Sequence, residues 1–266
     1  MLAMAVSTLS LSAADLTPAQ KLIHEQRVLV IAHRGNSSVA PENTLPAFQA
    51  ALDAKSDLIE LDYYHAADGV PVVIHDEILD RTTDAETVFG KPKLVVGDFS
   101  YADLRKLDAG TWFDAKFAGV KLPTLEESLD LIQTGSVTLV ERKGGDADTV
   151  VRMLEKLNLI DKVVVQAFDW EYVKRCRELS PKLALATLSG KPAAPEQITA
   201  AAATGADIIV WDHRKIDRNE IEQIHKLGKK AWAYTIDDPA RAKQLIDAGL
   251  DGVITNKPAE ISKLRK

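Results

Sequence analysis

Between Val28 and Asp76 the chain carries His33-Arg34-Gly35, Pro41-Glu42-Asn43-Thr44, Glu60-Leu61-Asp62 and His75-Asp76. Two imidazoles, a guanidinium and two closely spaced carboxylates thus share one stretch, each at or just past the end of an apolar run. An imidazole titrates near neutral pH, so a pair can serve as base and acid in one displacement. Glu60 and Asp62, two apart on a strand, share a face. Carboxylates that close repel in a dry site unless a cation lies between them. An all-oxygen donor set suits one hard divalent ion, Ca2+ or Mg2+, rather than zinc. Glu141, which ends the run Val137–Val140, fits as a third ligand. Lys143 follows two residues later and shares its face. With Arg34 it suits a bound anion, a phosphate bridging metal, lysine and arginine. Each group also has a plainer reading. Glu60 and Asp62 can be solvated strand-end charges, Lys143 a surface lysine, Arg34 a partner of Glu42, and either histidine a hydrogen-bonded structural residue.

The elements around these residues say where they point. After a polar helical lead-in, Pro18 to Gln26, the apolar run Val28–Ala32 suits a strand covered on both faces. A helix follows, capped by Asn43 or Thr44, with Pro46 in its first turn and Leu45, Phe48 and Leu52 at helical spacing. Leu58–Tyr64 is a second strand, Ala66–Gly69 a turn, and Val70–Ile74 a return strand. So short a link cannot carry a parallel crossover, so the pair is an antiparallel hairpin. Pairing about Ala67-Asp68 sets His75 near Glu60. Residues 80–121 break the rhythm and read as a small insertion or lid, with Trp112, Phe113 and Phe117 packing it onto the rim. Thr124 to Glu127 is a capping box opening the next helix. Strands at Val137–Val140, Val163–Gln166, Leu183–Thr187, Asp207–Val210, Lys230–Tyr234 and Gly252–Thr255 alternate with helical segments. Without the return strand, eight strands alternate with helices, which favours a closed (β/α)8 TIM barrel with its chemistry at the carboxyl ends of the strands. That gives one barrel domain over 28–266, preceded by residues 1–27. No strand is followed by Gly-x-Gly-x-x-Gly, which removes the usual dinucleotide signature.

Bulk properties narrow the partners. The chain has 266 residues, 46% hydrophobic and 27% charged, an ordinary balance for a large buried core. Net charge is −6 and no basic run exceeds Lys229-Lys230, which argues against nucleic acid. Cys176, the single cysteine, excludes an internal disulfide and reads as a semi-buried helix thiol. Met1–Ala14 lacks charge and is rich in Leu, Ala and Ser. It is too short to span a membrane, so no stable membrane insertion is expected. It resembles the apolar and cleavage regions of a secretory signal without the positive leader. A periplasmic or secreted location is therefore expected, with the cytoplasm as the alternative. His24, His65, His213 and His225 lie in polar contexts and receive no role.

His33-Arg34-Gly35, Pro41-Glu42-Asn43-Thr44, Phe48, Glu60-x-Asp62, Asp68-Gly69, His75-Asp76, Arg81-x-Thr83, Leu122 to Glu127, Glu141-x-Lys143, Phe168 and Asp251-Gly252 occur in this order. Taken together, over about Val28 to Pro258, the chain resembles the glycerophosphodiester phosphodiesterases. The resemblance implies a phospholipase-C-like barrel and metal-dependent hydrolysis of a small glycerophosphodiester to glycerol 3-phosphate and an alcohol. It implies Glu60, Asp62 and Glu141 as metal ligands, His33 and His75 as the acid/base pair, and Arg34 and Lys143 as phosphate holders. Phe168 then walls the glycerol pocket, and Tyr234 alters a wall where the family usually has Trp before Thr235. Lys55-Ser56-Asp57, His65-Ala66-Ala67, Ala167 and Asn256-x-Pro258 also depart from the pattern, where Gly-Ala-Asp, a Thr-led turn, Ser and Asp-x-Pro are usual. None removes a charged catalytic group; they bear on substrate identity rather than reaction class. Two alternatives stand beside this reading. One is a phospholipase acting on intact phospholipid or phosphoinositide, hinted at by Trp112, Phe113 and Phe117. The other is a barrel that binds phosphate esters without turnover, against which the full set of charged residues argues. Glycoside hydrolysis also uses paired carboxylates, but Glu60 and Asp62 on one strand lie too close to act from opposite faces of a sugar.

Overall fold

Apolar runs separated by amphipathic helices build a closed barrel in the computed structural model, which describes residues 16–265. The Met1–Ala14 segment lies outside the described residues. The strands are β1 (Leu29–Ala32), β2 (Leu58–His65), β3 (Pro71–Val73), β4 (Val137–Arg142), β5 (Val163–Ala167), β6 (Ala184–Ser189), β7 (Ile208–Asp212), β8 (Lys230–Tyr234) and β9 (Gly252–Thr255). All but β3 run parallel, each bonded to its neighbours, and β1 joins both β9 and β2 to close the ring. The helices α1 (Pro18–Ile23), α2 (Leu45–Asp53), α3 (Ala85–Phe89), α4 (Tyr101–Leu104), α5 (Leu125–Ile132) and α6 (Ala147–Lys156) come first. Then follow α7 (Trp170–Leu179), α8 (Pro195–Ala202), α9 (Arg218–Lys226), α10 (Pro239–Asp247) and α11 (Pro258–Ile261).

The two-residue period of the strands divides the core. Leu29, Ile31, Leu58, Leu139, Val164, Ala186, Ile208, Val210, Trp232 and Ile254 fill the barrel interior, and Ala19 and Ile23 of α1 pack against them. Alternate residues such as Leu61, Tyr63, Val140 and Val165 pack outward against Phe48 of α2, Leu129 of α5 and Val150 of α6. The inward set of β2 is therefore Leu58, Glu60 and Asp62: apolar low in the barrel, acidic toward its carboxyl end. At the opposite mouth Asp57, Asp207 and Asp251 accept the backbone N–H of Val30 (2.7 Å), Leu185 (2.9 Å) and Ala231 (2.8 Å). Those carboxylates lock strands together and serve stability.

Four expectations need correction. The hairpin register is one residue off: Tyr63 pairs with Val73 and Tyr64 with Val72, and β3 ends before His75. Continued, this register sets His75 opposite Leu61 rather than Glu60, because the tip is the three residues Ala67-Asp68-Gly69, centred on Asp68, rather than the pair Ala67-Asp68. Thr44 is the N-cap of α2 but makes no side-chain cap; its hydroxyl donates to the Pro41 carbonyl at 2.6 Å. Asn43 is turned inward instead, as described below. Trp112, Phe113 and Phe117 do not pack the insertion onto the rim. They meet edge to face at 5.7 Å centroid separations, Trp112 40% exposed. The rim contact is made by other residues: Leu79, Leu94, Val96, Leu104 and Leu107 bury Val72 and Ile74 of the hairpin, with Phe89, Phe99 and Tyr101 packed against them. Cys176, on α7, is fully buried, and burial pushes its thiol up to about 12.

Candidate active site

A hairpin arm inserted after β2 leaves β2 next to β4, and the register sets Asp62 opposite Glu141 and Glu141 opposite Gln166. Glu60 lies one inward position deeper on β2. Carboxylate oxygens of Glu60, Asp62 and Glu141 all fall within 4.8 Å of one another, and all three residues are buried. Burial, then mutual repulsion, raises Glu60 well above the usual carboxylate range and lifts Glu141 to about 7. One buried oxygen, Glu60 Oε1, has no hydrogen-bond partner. An orphan acceptor within an all-oxygen cluster fits a hard divalent cation.

Around the cluster every side chain is held by a second one. The Arg34 backbone N–H donates to Glu60 Oε2 at 2.7 Å, and Arg34 itself has a left-handed backbone, φ +56°. Gly35 follows at φ +82°, and a Cβ there would meet the Ala47 carbonyl carbon at 2.6 Å, so only glycine fits the third place of His-Arg-Gly. Asn43, also left-handed, donates Nδ2 to Asp62 Oδ2 at 2.9 Å and accepts the Asp62 N–H at 3.2 Å. Gln166 Nε2 donates to Glu141 Oε2 at 2.9 Å. Lys143, just past β4, sets its ammonium 2.7 Å from Glu141 and 3.4 Å from Asp62. The Arg34 guanidinium lies 3.4 Å from Asp62 and 2.7 Å from Glu42. The three carboxylates outnumber Arg34 and Lys143 by one charge; a dication would turn that balance positive, complementary to a phosphodiester monoanion.

The two imidazoles are anchored through Nδ1, in different ways. His33 Nδ1 lies 2.7 Å from Asn256 Oδ1. Asn256 gives its Nδ2–H to Asp237 (2.6 Å), so its oxygen must face His33 and accept. His33 therefore carries hydrogen on Nδ1 and a lone pair on Nε2. Burial, then Arg34, lowers it to about 4. His75 Nδ1 lies 2.6 Å from the Asp76 carboxylate; burial lowers its pKa too, opposed by Asp62 and Asp76. His33, Arg34, Asp62, His75, Glu141, Lys143, Gln166, Phe168 and Tyr234 line one cavity of about 170 Å3. Phe168, 48% exposed, meets Tyr234 edge to face at 5.9 Å, and the Tyr234 hydroxyl donates to the Ser189 carbonyl at 3.1 Å. All the residues singled out above by type and spacing thus converge, Glu60 lying beneath the lining. Asn43, Gln166 and Asn256 had no site role in that reading, although Gln166 and Asn256 stand at or just past strand ends, as the acidic residues do.

The fold and this pocket define a TIM-barrel hydrolase with a carboxylate metal site at the carboxyl ends of its strands. A family model, the Glycerophosphoryl diester phosphodiesterase family, matches residues 33–260. A glycerophosphodiester phosphodiesterase of Bacillus subtilis is 32% identical over 297 residues, covering 100% of this chain and 97% of that one. The solved structure of a glycerophosphodiester phosphodiesterase from Agrobacterium tumefaciens matches with TM-score 0.77 and 28% identity, covering 89% of this chain and 99% of that one. That of an Oleispira antarctica phosphodiesterase in complex with the product sn-glycerol-3-phosphate matches with TM-score 0.78 and 27% identity, over 90% and 96%. The chain belongs to the glycerophosphoryl diester phosphodiesterase family and is a phosphoric diester hydrolase. Among the described residues, no helix is long and apolar enough to cross a membrane.

Proposed function

We propose that this chain cleaves small glycerophosphodiesters to glycerol 3-phosphate and an alcohol, with Glu60, Asp62 and Glu141 holding one Ca2+ or Mg2+ ion. The carrying observation is the buried triad within 4.8 Å, its unpartnered Glu60 oxygen and the imidazoles that line the same pocket. A bound cation there supplies Lewis-acid neutralisation of the charge that develops on phosphate oxygens. Arg34 and Lys143, one on each side of Asp62, hold the diester's oxygens, the arginine through its planar fork. Neutral His33, its Nε2 lone pair free of Asn256, takes the proton from the attacking hydroxyl. His75, whose cationic form Asp76 supports, gives its Nε2 proton to the departing alkoxide. Phe168 and Tyr234 wall the glycerol end. The small cavity, whose lining includes none of Trp112, Phe113 and Phe117, favours a small diester over intact lipid. The test is a panel of glycerophosphodiesters and one long-chain phospholipid, assayed with EDTA-stripped protein and with each metal restored. Release of glycerol 3-phosphate only after metal return is expected; faster turnover of the lipid would overturn the substrate assignment.

A further inference from the structure

Arg81 belongs to the insertion and lines no part of the catalytic cavity, yet it touches both sides of that cavity's support. Its NH1 and NH2 donate to Glu42 Oε2 (2.9 Å) and Oε1 (2.8 Å). Its Nε donates to Asp76 Oδ2. The same Glu42 Oε1 accepts Arg34 NH1 at 2.7 Å, and the other oxygen of Asp76 faces His75 Nδ1 at 2.6 Å. An unbroken chain of bonds therefore runs Arg34, Glu42, Arg81, Asp76, His75. Both linking carboxylates are held down to about 2, chiefly by their arginine bonds acting against burial, so the chain stays charged at neutral pH. The turn bearing Arg81 is itself fixed. Leu79 is fully buried, Thr83 Oγ1 donates to the Leu79 carbonyl at 2.8 Å, and Asp80 accepts the Lys93 N–H at 2.6 Å.

We propose that Arg81 is a positioning residue. It sets the separation between the phosphate-holding Arg34 and the proton-donating His75, and is the insertion's contribution to catalysis. Three guanidinium nitrogens meet two carboxylates at a fixed angle. A lysine, a single point charge, can serve one of them only. The role rests on the phosphodiester hydrolysis proposed above.

The test compares Arg81→Ala and Arg81→Lys with the parent, using glycerophosphocholine as substrate and glycerol 3-phosphate release as readout. Misplacing a catalytic group by about 1 Å costs on the order of a hundredfold, so kcat in Arg81→Ala should fall roughly ten- to a hundredfold. KM should rise less than kcat falls, by no more than about threefold, since Arg34 keeps its own bonds to Glu42 and Asp62 while the His75 side loses its anchor. Added ethylguanidinium should restore part of kcat in Arg81→Ala, which a loss of general stability would not allow. Arg81→Lys should fall between, and carries the test if Arg81→Ala does not fold. An active parent whose variants keep full kcat, lose only KM, or ignore ethylguanidinium overturns the role of Arg81 alone. A correctly folded, metal-loaded parent without turnover overturns the hydrolytic reading and this role with it.

Discussion

The assignment of His33 as base rests on its neighbour being an amide, and Asn256→Asp perturbs that directly. In the native protein Asn256 Oδ1 lies 2.7 Å from His33 Nδ1 and also accepts the Ser37 hydroxyl at 2.8 Å. A carboxylate at this place turns a neutral acceptor into a charged one. Hydrogen bonds to charged groups contribute about 1.5–3 kcal/mol against about 1 for neutral ones, a gain of roughly 1–2 kcal/mol for the imidazolium. At 1.36 kcal/mol per unit this is about one unit. His33, held at about 4 by burial and Arg34, should therefore rise by about that one unit, part of the way back to an ordinary imidazole. The single variant would set two carboxylates together, because Asp237 now accepts Asn256 Nδ2 at 2.6 Å. The double variant Asp237→Asn, Asn256→Asp keeps a donor facing an acceptor and is the cleaner probe. A base works unprotonated, so raising its folded-state pKa keeps it in the inactive, protonated form up to a higher pH. The acidic limb of kcat/KM against pH should move up by about one unit in the double variant, with the basic limb, set by His75, unmoved. An acidic limb that stays in place or moves down refutes the base assignment.

Three further outcomes follow from the site. His33→Ala and His75→Ala should each lower kcat by roughly 10²–10⁴, the usual scale of acid–base catalysis, while calorimetry still shows glycerol 3-phosphate binding; a fully active double variant excludes both. Asn43→Ala removes both bonds that aim Asp62 and should weaken metal binding about 10- to 100-fold in a metal titration; an unchanged Kd counts against Asp62 as a ligand. Metal removal should make stability pH-dependent in a definite direction. Glu60 and Glu141 hold protons in the stripped folded protein that the unfolded chain has already released, so stability should fall as pH rises from the ordinary carboxylate range through about 7. Ca2+ or Mg2+ should abolish the fall, and a melting temperature flat over that window in stripped protein would show that the carboxylates are not packed as described.

The strands and their charged ends were legible because their signal is local. An apolar run that stops at His33, Glu141 or Phe168 announces both a buried strand and the group it delivers. The capping box at Thr124 and Glu127 likewise spans four residues and forms as expected. What sequence did not disclose are partners fixed by tertiary turns. Asn43 has the composition of a helix cap, and only its left-handed backbone turns it to Asp62. Asn256 looks like a loop residue until β9 closes on β1 and carries it to His33. The insertion's aromatics misled because size alone suggests rim packing. A loop held by Asp108, which accepts the N–H groups of Gly110, Thr111 and Gly119, turns them on each other instead.

One topological departure produces most of the chemistry. In a barrel whose third strand simply followed its second, the strand carrying Glu141 would be separated from the one carrying Asp62 by a full strand spacing, about 4.8 Å further around the wall. Here the third strand folds back antiparallel on β2 and leaves the barrel, so β4 takes its place and Asp62 faces Glu141 directly. The same fold-back returns the chain from above the carboxyl rim to the level of Leu61, where His75 turns into the pocket and Asp76 turns out to Arg81. The carboxylates proposed as metal ligands and the histidine proposed as proton donor are thereby brought together by a single hairpin. Its tip needs Gly69 in the left-handed region, φ +80°, with nothing within 4 Å of a Cβ. A substitution there, Gly69→Val, would meet no clash and would act through backbone strain alone, at about 1–3 kcal/mol. It tests whether the hairpin is what delivers His75: metal affinity should survive while kcat falls. Equal loss of both would place the cause in the barrel rather than in the arm.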